Sequence, residues 1–272
     1  MMDLRAELAD WPVGGADAAV VDADGVIATT GGTTAYAWAS VTKIVTALTV
    51  LDAAADGVLD LDEPAGPPGA TVRQLLGHVS GVAFDTDDRL AKPGTRRIYS
   101  NRGYEIAAQR LEERAGEPFE RQLRLRVLEP LGMAGTSLDG SPAAGGAGPI
   151  EDLSRLAVEL LRPAVLPARV VEAATTIAYP GLKGVLPGFG RQNPNDWGLG
   201  CEIRDHKRPH WTAAGNSPRT FGHFGQSGSF LWVDPDAGIG CASLADRPFG
   251  EWASGLWPRL SERVLAAYAP GR

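Results

Sequence analysis

Short β-forming runs lie at both ends of the chain with helical patterns between them, and this order limits the fold more than any other feature of the sequence. Residues 16–21 and 26–30 are β-rich runs separated by Asp22-Ala23-Asp24-Gly25, whose Asp-Gly pair favours the tight turn of a hairpin. Strand patterns return only after Trp197, at residues 198–204, 229–233 and 239–244, and Asp234-Pro235-Asp236-Ala237-Gly238 turns the last two. Between these ends the apolar spacing is helical at 72–76, 104–115, 119–128 and 152–161, interrupted by Pro- and Gly-rich loops. One sheet assembled from both termini is therefore expected. Residues 1–58 and 197–272 would form the sheet-containing part of a single domain, and 59–196 a mainly helical subdomain.

Two further helices are expected to flank that sheet. Between residues 41 and 55, Ile44, Val45, Leu48 and Leu51 recur at helical spacing, with Gly57 as the stop, and this helix should be buried. The final segment carries Leu256, Leu260, Val264, Leu265 and Tyr268 on one face, as an amphipathic helix begun or kinked at Pro258.

With 272 residues, 44% of them hydrophobic, the chain can bury a substantial core. A formal charge of −7 and the lack of any basic block argue against nucleic acid, so the expected partner is a small molecule. The start, Met1-Met2-Asp3-Leu4-Arg5-Ala6-Glu7, has neither the basic nor the apolar region of a secretory signal, and no later run is long enough to span a membrane. A cytoplasmic location is the expectation. Cys201 and Cys241 have no neighbouring Cys or His at metal-ligand spacing and read as buried thiols. Residues 141–148 read as a short flexible loop.

Chemistry concentrates first in Ser40-Val41-Thr42-Lys43. Lysine is rare in this chain, which has only Lys43, Lys92, Lys183 and Lys207. Ser40 and Lys43 are one helical turn apart, so they share a face and can touch. A serine hydroxyl becomes a strong nucleophile when a neighbouring base takes its proton, and a neutral amine can do that. Burial and the positive end of the helix dipole both disfavour an ammonium, so Lys43 is expected to have a lowered pKa. The same helix end offers backbone N–H groups to an anion forming at an attacked carbonyl. Taken alone, the pair also fits a capping serine and a solvated lysine.

Two more segments follow in order. Tyr99-Ser100-Asn101 comes after Lys92-Pro93-Gly94-Thr95-Arg96-Arg97-Ile98, and His223-Phe224-Gly225 opens the strand-rich tail. With Ser40-Val41-Thr42-Lys43 they resemble the three motifs of the serine β-lactamase and penicillin-binding protein superfamily, Ser-x-x-Lys, Ser-Asp-Asn and Lys-Thr-Gly. The tyrosine in the second motif is similar to the class C branch, and the His-x-Gly third motif to its esterase-like and D-peptidase-like relatives. The connecting text also resembles that family at Leu59-Asp60-Leu61-Asp62-Glu63-Pro64, Thr71-Val72-Arg73-Gln74-Leu75-Leu76-Gly77-His78-Val79-Ser80-Gly81, Pro130-Leu131-Gly132-Met133 and Trp197-Gly198-Leu199-Gly200. The resemblance runs from about residue 16 to residue 245.

It implies an α/β (α+β) fold of the β-lactamase/transpeptidase type, an antiparallel sheet flanked by helices with an all-helical subdomain across a cleft. It also implies that Ser40 forms an acyl-enzyme, that Lys43 accepts its proton, and that Tyr99 shuttles protons to the leaving group and the hydrolytic water. A free tyrosine titrates near ~10, so cationic Lys43 and His223 would be needed to make Tyr99 a base. Asn101 would hold a substrate carbonyl, His223, Gly225 and Gln226 would line the substrate site, and the N–H groups of Ser40 and Gln226 would form an oxyanion hole. No cofactor and no metal is implied. Without the other motifs, Tyr99 and Asn101 also fit a turn after Pro93-Gly94, and His223 a core histidine.

Departures from the family pattern shift the expected substrate. Phe224 stands where a threonine is common, and His223, unlike lysine, is mostly neutral above about pH 6.5. Both weaken recognition of a penicillin-like anion, so an ester or small amide is expected, with carboxylesterase and D-peptidase ahead of β-lactamase. A non-catalytic ligand-binding member of the fold is the alternative from another class. Glu151 and Glu159 read as serving a helix start and its polar face rather than activating water. Trp38, Trp197 and Trp211 fit either the core or an acyl pocket. His78 reads as a structural landmark distant from the chemistry, and His206 and His210 as solvent-facing. Loops 85–92 and 178–195 should shape the cleft, and no Gly-x-Ser-x-Gly follows a strand, which excludes an α/β-hydrolase. The oligomeric state is not set by the sequence.

Overall fold

The expected hairpin forms around Asp22, whose carboxylate accepts the N–H groups of Asp24 and Gly25 at 2.8 and 3.1 Å and so fixes the turn. In the computed structural model, which describes residues 2–269, β1 (Ala16–Asp22) and β2 (Gly25–Thr29) follow a short helix, α1 (Leu4–Leu8). Met1 and residues 270–272 of the expected terminal part lie outside the described residues. Along its whole length β1 pairs with β11 (Ile239–Ala245), Ala16 opposite Ala245 and Asp22 opposite Ile239. The sheet continues through β10 (Ser229–Asp234) and β9 (Phe221–Gly225) to β8 (Glu202–Ile203), in the order β2-β1-β11-β10-β9-β8, with every pairing antiparallel. The two ends of the chain therefore build one sheet.

Both sheet faces are apolar, and the period-2 alternation of strand side chains assigns each residue to a side. Ala19, Val21, Leu231, Val233, Ala242 and Leu244 pack on one face with α2 (Thr42–Ala55) and α6 (Ile150–Leu161). Ala18, Val20, Phe230, Trp232 and Cys241 face the other way, onto α8 (Glu251–Tyr268) and α1. Nearly every residue of α2 is buried, as expected for a helix apolar around most of its circumference. Pro258 lies inside α8, which starts seven residues earlier at Glu251. Cys201 and Cys241 are free and buried.

The helical middle of the chain includes α3 (Val72–Leu76), begun by a capping box between Thr71 and Gln74, and α4 (Asn101–Ala115), capped by Ser100 and ended by Gly116 at φ 69°. α5 (Phe119–Leu123) runs on into a π turn (Arg124–Leu128), and α7 (Ala168–Thr175) completes the set. Helix α6, although it falls within 59–196, packs directly on β1, β10 and β11. Two small sheets close the gaps: β3 (Tyr36–Ala37), β4 (Ser137–Leu138) and β5 (Gly146–Gly148) in the order β3-β5-β4, and a hairpin of β6 (Gly184–Leu186) and β7 (Gly190–Gln192). Among the described residues no helix is long and apolar enough to cross a membrane.

The strand expected over 198–204 shrinks to Glu202–Ile203, because the backbone ahead of it bonds elsewhere. The N–H groups of Leu199, Gly200 and Cys201 donate to the carbonyls of Ala173 and Ala174 at the end of α7, so no ladder can form there.

One glycine decides how closely β9 approaches the start of α2. A Cβ on Gly225 would lie 2.2 Å from the Trp38 carbonyl oxygen and 2.4 Å from Ser229 Oγ, and Ser229 Oγ itself donates to that carbonyl at 2.7 Å. Gly225→Ala is expected to destabilise the protein by about 1–3 kcal/mol, the usual cost of overpacking. A thermal melt matching the wild type would show that β9 can move away without cost.

Candidate active site

Ser40 sits in a single 3-10 turn (Ala39–Val41) that leads into α2. The residue before the turn is held from several directions: Trp38 N–H donates to Gly146 O at 2.8 Å, its indole N–H to Gly148 O at 3.2 Å, and its carbonyl accepts from Ser229. Ala39 takes φ 43°, a left-handed conformation that costs a non-glycine residue roughly 1–2 kcal/mol. That bend turns the chain from β3 into α2 and sets Ser40 at the cleft.

Lys43 is wholly buried one turn on. Its Nζ lies 3.2 Å from Ser40 Oγ, 2.6 Å from Asn101 Oδ1 and 3.0 Å from Ala143 O. The Asn101 amide is oriented by its Nδ2, which donates to Asp85 Oδ1 at 3.0 Å, so its oxygen faces the lysine. Asn101 Oδ1 and the Ala143 carbonyl can only accept. A neutral amine has two N–H bonds and one lone pair; those two acceptors take the N–H bonds, which leaves the lone pair for the Ser40 hydroxyl proton. Burial lowers the Lys43 pKa to about 7, against the opposing pull of the Asp85 and Glu105 charges, so the neutral form is well populated near neutrality. The loop at 141–148, expected to be flexible, is instead tied to α2: besides Ala143, Pro142 O accepts from Thr46 Oγ1 at 2.6 Å and Gly146 N–H donates to Thr42 Oγ1 at 2.9 Å.

Tyr99 and His223 complete the cluster in a way that corrects the expected charges. His223 Nδ1 lies 2.6 Å from the Phe224 carbonyl, which only accepts, so the proton is on Nδ1 and Nε2 accepts from the Tyr99 hydroxyl at 3.3 Å. Burial, reinforced by Lys43, pushes His223 down to about 3. His223 therefore supplies no positive charge. Burial raises the Tyr99 pKa strongly, so Tyr99 stays a phenol. Lys43 Nζ lies 4.8 Å from the centre of the Tyr99 ring.

His78 is close to this cluster rather than distant from it. It is buried at φ 59°, and its ring centre lies 4.6 Å from that of Tyr99. Its carbonyl accepts Ile98 N–H at 2.8 Å and its Nδ1 accepts Ser100 N–H at 3.2 Å, so it holds the backbone on both sides of Tyr99. His210 is also buried, not solvent-facing: its Nε2 lies 2.9 Å from Glu202 Oε2. His206 is exposed as expected. Glu159, expected on a polar face, is buried and accepts the N–H groups of Ala164, Val165 and Leu166.

A cavity of about 290 Å³ opens beside Ser40, walled by Tyr99, His223, Phe224, Trp197 and Trp211. Gln226 also lines it, and Gly225 is the close-contact residue between them. Trp38 belongs to the core. Of the loops expected to shape the cleft, 178–195 contributes Leu186 and Pro187 to the lining, whereas no residue of 85–92 lines it; Phe84 just ahead does, and Asp85 acts by holding Asn101. Phe84 and Leu186 were not legible as site residues, since an apolar side chain in a loop carries no chemical signature.

An antiparallel sheet with helices on both faces and a buried lysine beside a helix-start serine defines the serine β-lactamase/transpeptidase fold. The chain belongs to the Beta-lactamase family, whose sequence profile matches residues 5–263. A β-lactamase from Mycobacterium bovis is 51% identical and superposes with a TM-score of 0.95, covering 98% of this chain and 100% of its own. Simvastatin synthase from Aspergillus terreus has the same fold at 16% identity, with a TM-score of 0.82 and coverage of 98% and 97%. So does an octameric penicillin-binding protein homologue from Pyrococcus abyssi, at 21% identity and a TM-score of 0.76, covering 97% of this chain and 76% of its own. Comparison with curated protein sequences gives no match.

If Lys43 takes the Ser40 proton, the rate of Ser40 labelling by a fluorophosphonate follows the neutral fraction of the amine. The sign is fixed by the lowered pKa: the rate rises about tenfold per pH unit below about 7 and levels off above it. Labelling rates measured from about pH 5 to 9 by intact mass check this, and a profile flat through pH 7 excludes Lys43 as the base.

Proposed function

We propose that the protein is a metal-independent serine hydrolase that cleaves an ester or small amide through a Ser40 acyl-enzyme. The observation that carries this reading is the lone pair of Lys43: its two N–H bonds are taken by Asn101 and Ala143, so in the neutral state only the Ser40 hydroxyl is left to it. Lys43 accepts the serine proton as Oγ attacks the carbonyl. Backbone N–H groups of Ser40 and Gln226 stabilise the oxyanion. The proton then passes to the leaving group as the scissile bond breaks, with Tyr99 relaying it as a neutral phenol. Water deacylates the serine by the same route in reverse.

Tyr99 suits a relay better than a base, because burial keeps its proton on. Asn101, already engaged by Lys43 and Asp85, orients the lysine in addition to any contact with substrate. A neutral His223 and an aromatic Phe224 leave the third motif without a cation or hydroxyl for a substrate carboxylate, which favours an uncharged ester or amide over a penicillin. The 51% identity to the Mycobacterium bovis β-lactamase favours a second reading, turnover or trapping of a β-lactam. A cytoplasmic site of action remains part of the proposal.

Ser40→Ala is expected to lower hydrolysis of p-nitrophenyl esters by at least about a thousandfold, on the scale of losing a catalytic nucleophile. Full activity in that variant would falsify the mechanism. Incubation with a fluorescent penicillin separates the two readings: a persistent adduct on Ser40 supports a penicillin-binding type, hydrolysed penicillin a β-lactamase, and neither, with ester turnover intact, the esterase reading.

A further inference from the structure

One wall of the cavity beside Ser40 comes from a segment with almost no regular structure. Between β8 and β9 the chain runs from Arg204 to Thr220 without helix or strand, yet Lys207, His210, Trp211 and Thr212 on it are all buried. Backbone without a ladder needs other partners to stay fixed. Here they converge on one carboxylate, Glu202, which itself lines the cavity.

Glu202 accepts from three donors. Its Oε2 takes the Trp211 indole N–H at 3.0 Å and His210 Nε2 at 2.9 Å, and its Oε1 takes the Lys207 ammonium. The histidine tautomer follows from Thr212, whose N–H donates to His210 Nδ1 at 3.1 Å, so Nε2 carries the proton given to Glu202. Burial works against the Glu202 charge, but His210 and Lys207 outweigh it and hold the carboxyl down at about 2. The other two ammonium protons of Lys207 go to the carbonyls of Asp196 and Ile203. Every donor of this cluster is thus spent inside the protein.

Two consequences follow for whatever enters. First, the cluster offers no hydrogen-bond donor to a ligand, and a carboxylate brought against Glu202 would meet a like charge in a low-dielectric wall. Second, the wall is stiff, because Trp211 is held by its indole N–H, stacked on His210 at 5.3 Å between ring centres, and packed on Phe224 and Phe230. Trp197 touches Tyr99 and His223, with ring centres 5.5 and 5.3 Å apart, whereas the ring neighbours of Trp211 lie one shell further from the catalytic groups. Trp211 accordingly lines the pocket without ring contact to Tyr99 or His223.

We infer that Trp211, fixed by the Glu202–Lys207–His210 cluster, is the specificity-determining residue of the site and limits it to an apolar, non-anionic acyl group of bounded length. This rests on the acyl-enzyme reading above. The cavity, at about 290 Å³, is what bounds that length.

The test uses alkyl phosphonofluoridates of increasing chain length, which label Ser40 without needing turnover: Oγ forms the P–O bond, fluoride leaves, and the serine proton passes to Lys43. Second-order labelling rates of wild type, Trp211→Ala, Trp211→Phe and Glu202→Gln are read by intact mass, with circular dichroism as the check on folding. Wild type should label well with ethyl and butyl probes and at least tenfold more slowly with decyl. Trp211→Ala should raise the decyl-to-ethyl ratio at least tenfold, and Trp211→Phe and Glu202→Gln should raise it by less. An unchanged ratio in folded Trp211→Ala overturns the assignment alone; if that variant does not fold, an unchanged ratio in both Trp211→Phe and Glu202→Gln overturns it. A wild type that no probe labels overturns the acyl-enzyme reading and this inference with it.

Discussion

The structure depends on taking one amine out of water. Lys43 is buried at the junction of the sheet and the first long helix, where an ammonium would be costly unless paired, and its Nζ contacts offer it no carboxylate. The fold provides dipoles instead: an asparagine oxygen from the start of α4, a carbonyl from the loop before β5, and the serine hydroxyl one turn back. Three distant stretches of chain must be in place for that to hold. The same burial that makes the amine expensive to charge makes it a competent base.

Everything near the amine is arranged to stay uncharged. Tyr99 keeps its proton, His223 and His78 are held neutral by burial, and the protonated state of Lys43 is tolerated only through distant Asp85 and Glu105. The true ion pair, Glu202 with Lys207, is buried at the Trp211 wall of the cavity, where it holds that wall in place. Buried pairs of this kind add little net stability, but they fix position.

Much of this was legible because the residues involved carry both a local pattern and an unusual chemistry. The Asp22–Gly25 turn, the periodicity of α2 and the spacing of Ser40 and Lys43 are local, and the sheet built from both ends followed from where the β-rich runs lie. What escaped the sequence is long-range pairing. Nothing in residues 204–217 distinguishes a polar surface loop from a buried clasp until Glu202 is known to sit beneath it, so His210 reads as solvent-facing. His78 likewise acquires its place only when residues 98–100 fold back over it. The expected positive charge on His223 failed for a related reason, since desolvation cannot be judged without knowing how completely α2 and β9 enclose the ring. The short β8 reflects competition: the carbonyls at the end of α7 took the amides that a longer strand would have used.

The pairing of β1 with β11 sets the order in which the molecule can be made. A ribosome releases the hairpin of β1 and β2 long before it releases the strand that must lie beside it, so the nascent chain carries an open, apolar edge through most of its synthesis. Until β11 emerges, the β8–β9–β10 ladder has no strand joining it to β1, and the wall behind the serine is not yet part of the sheet. A truncated product or a stalled chain is thus an inert one, with its reactive alcohol left outside any finished cleft.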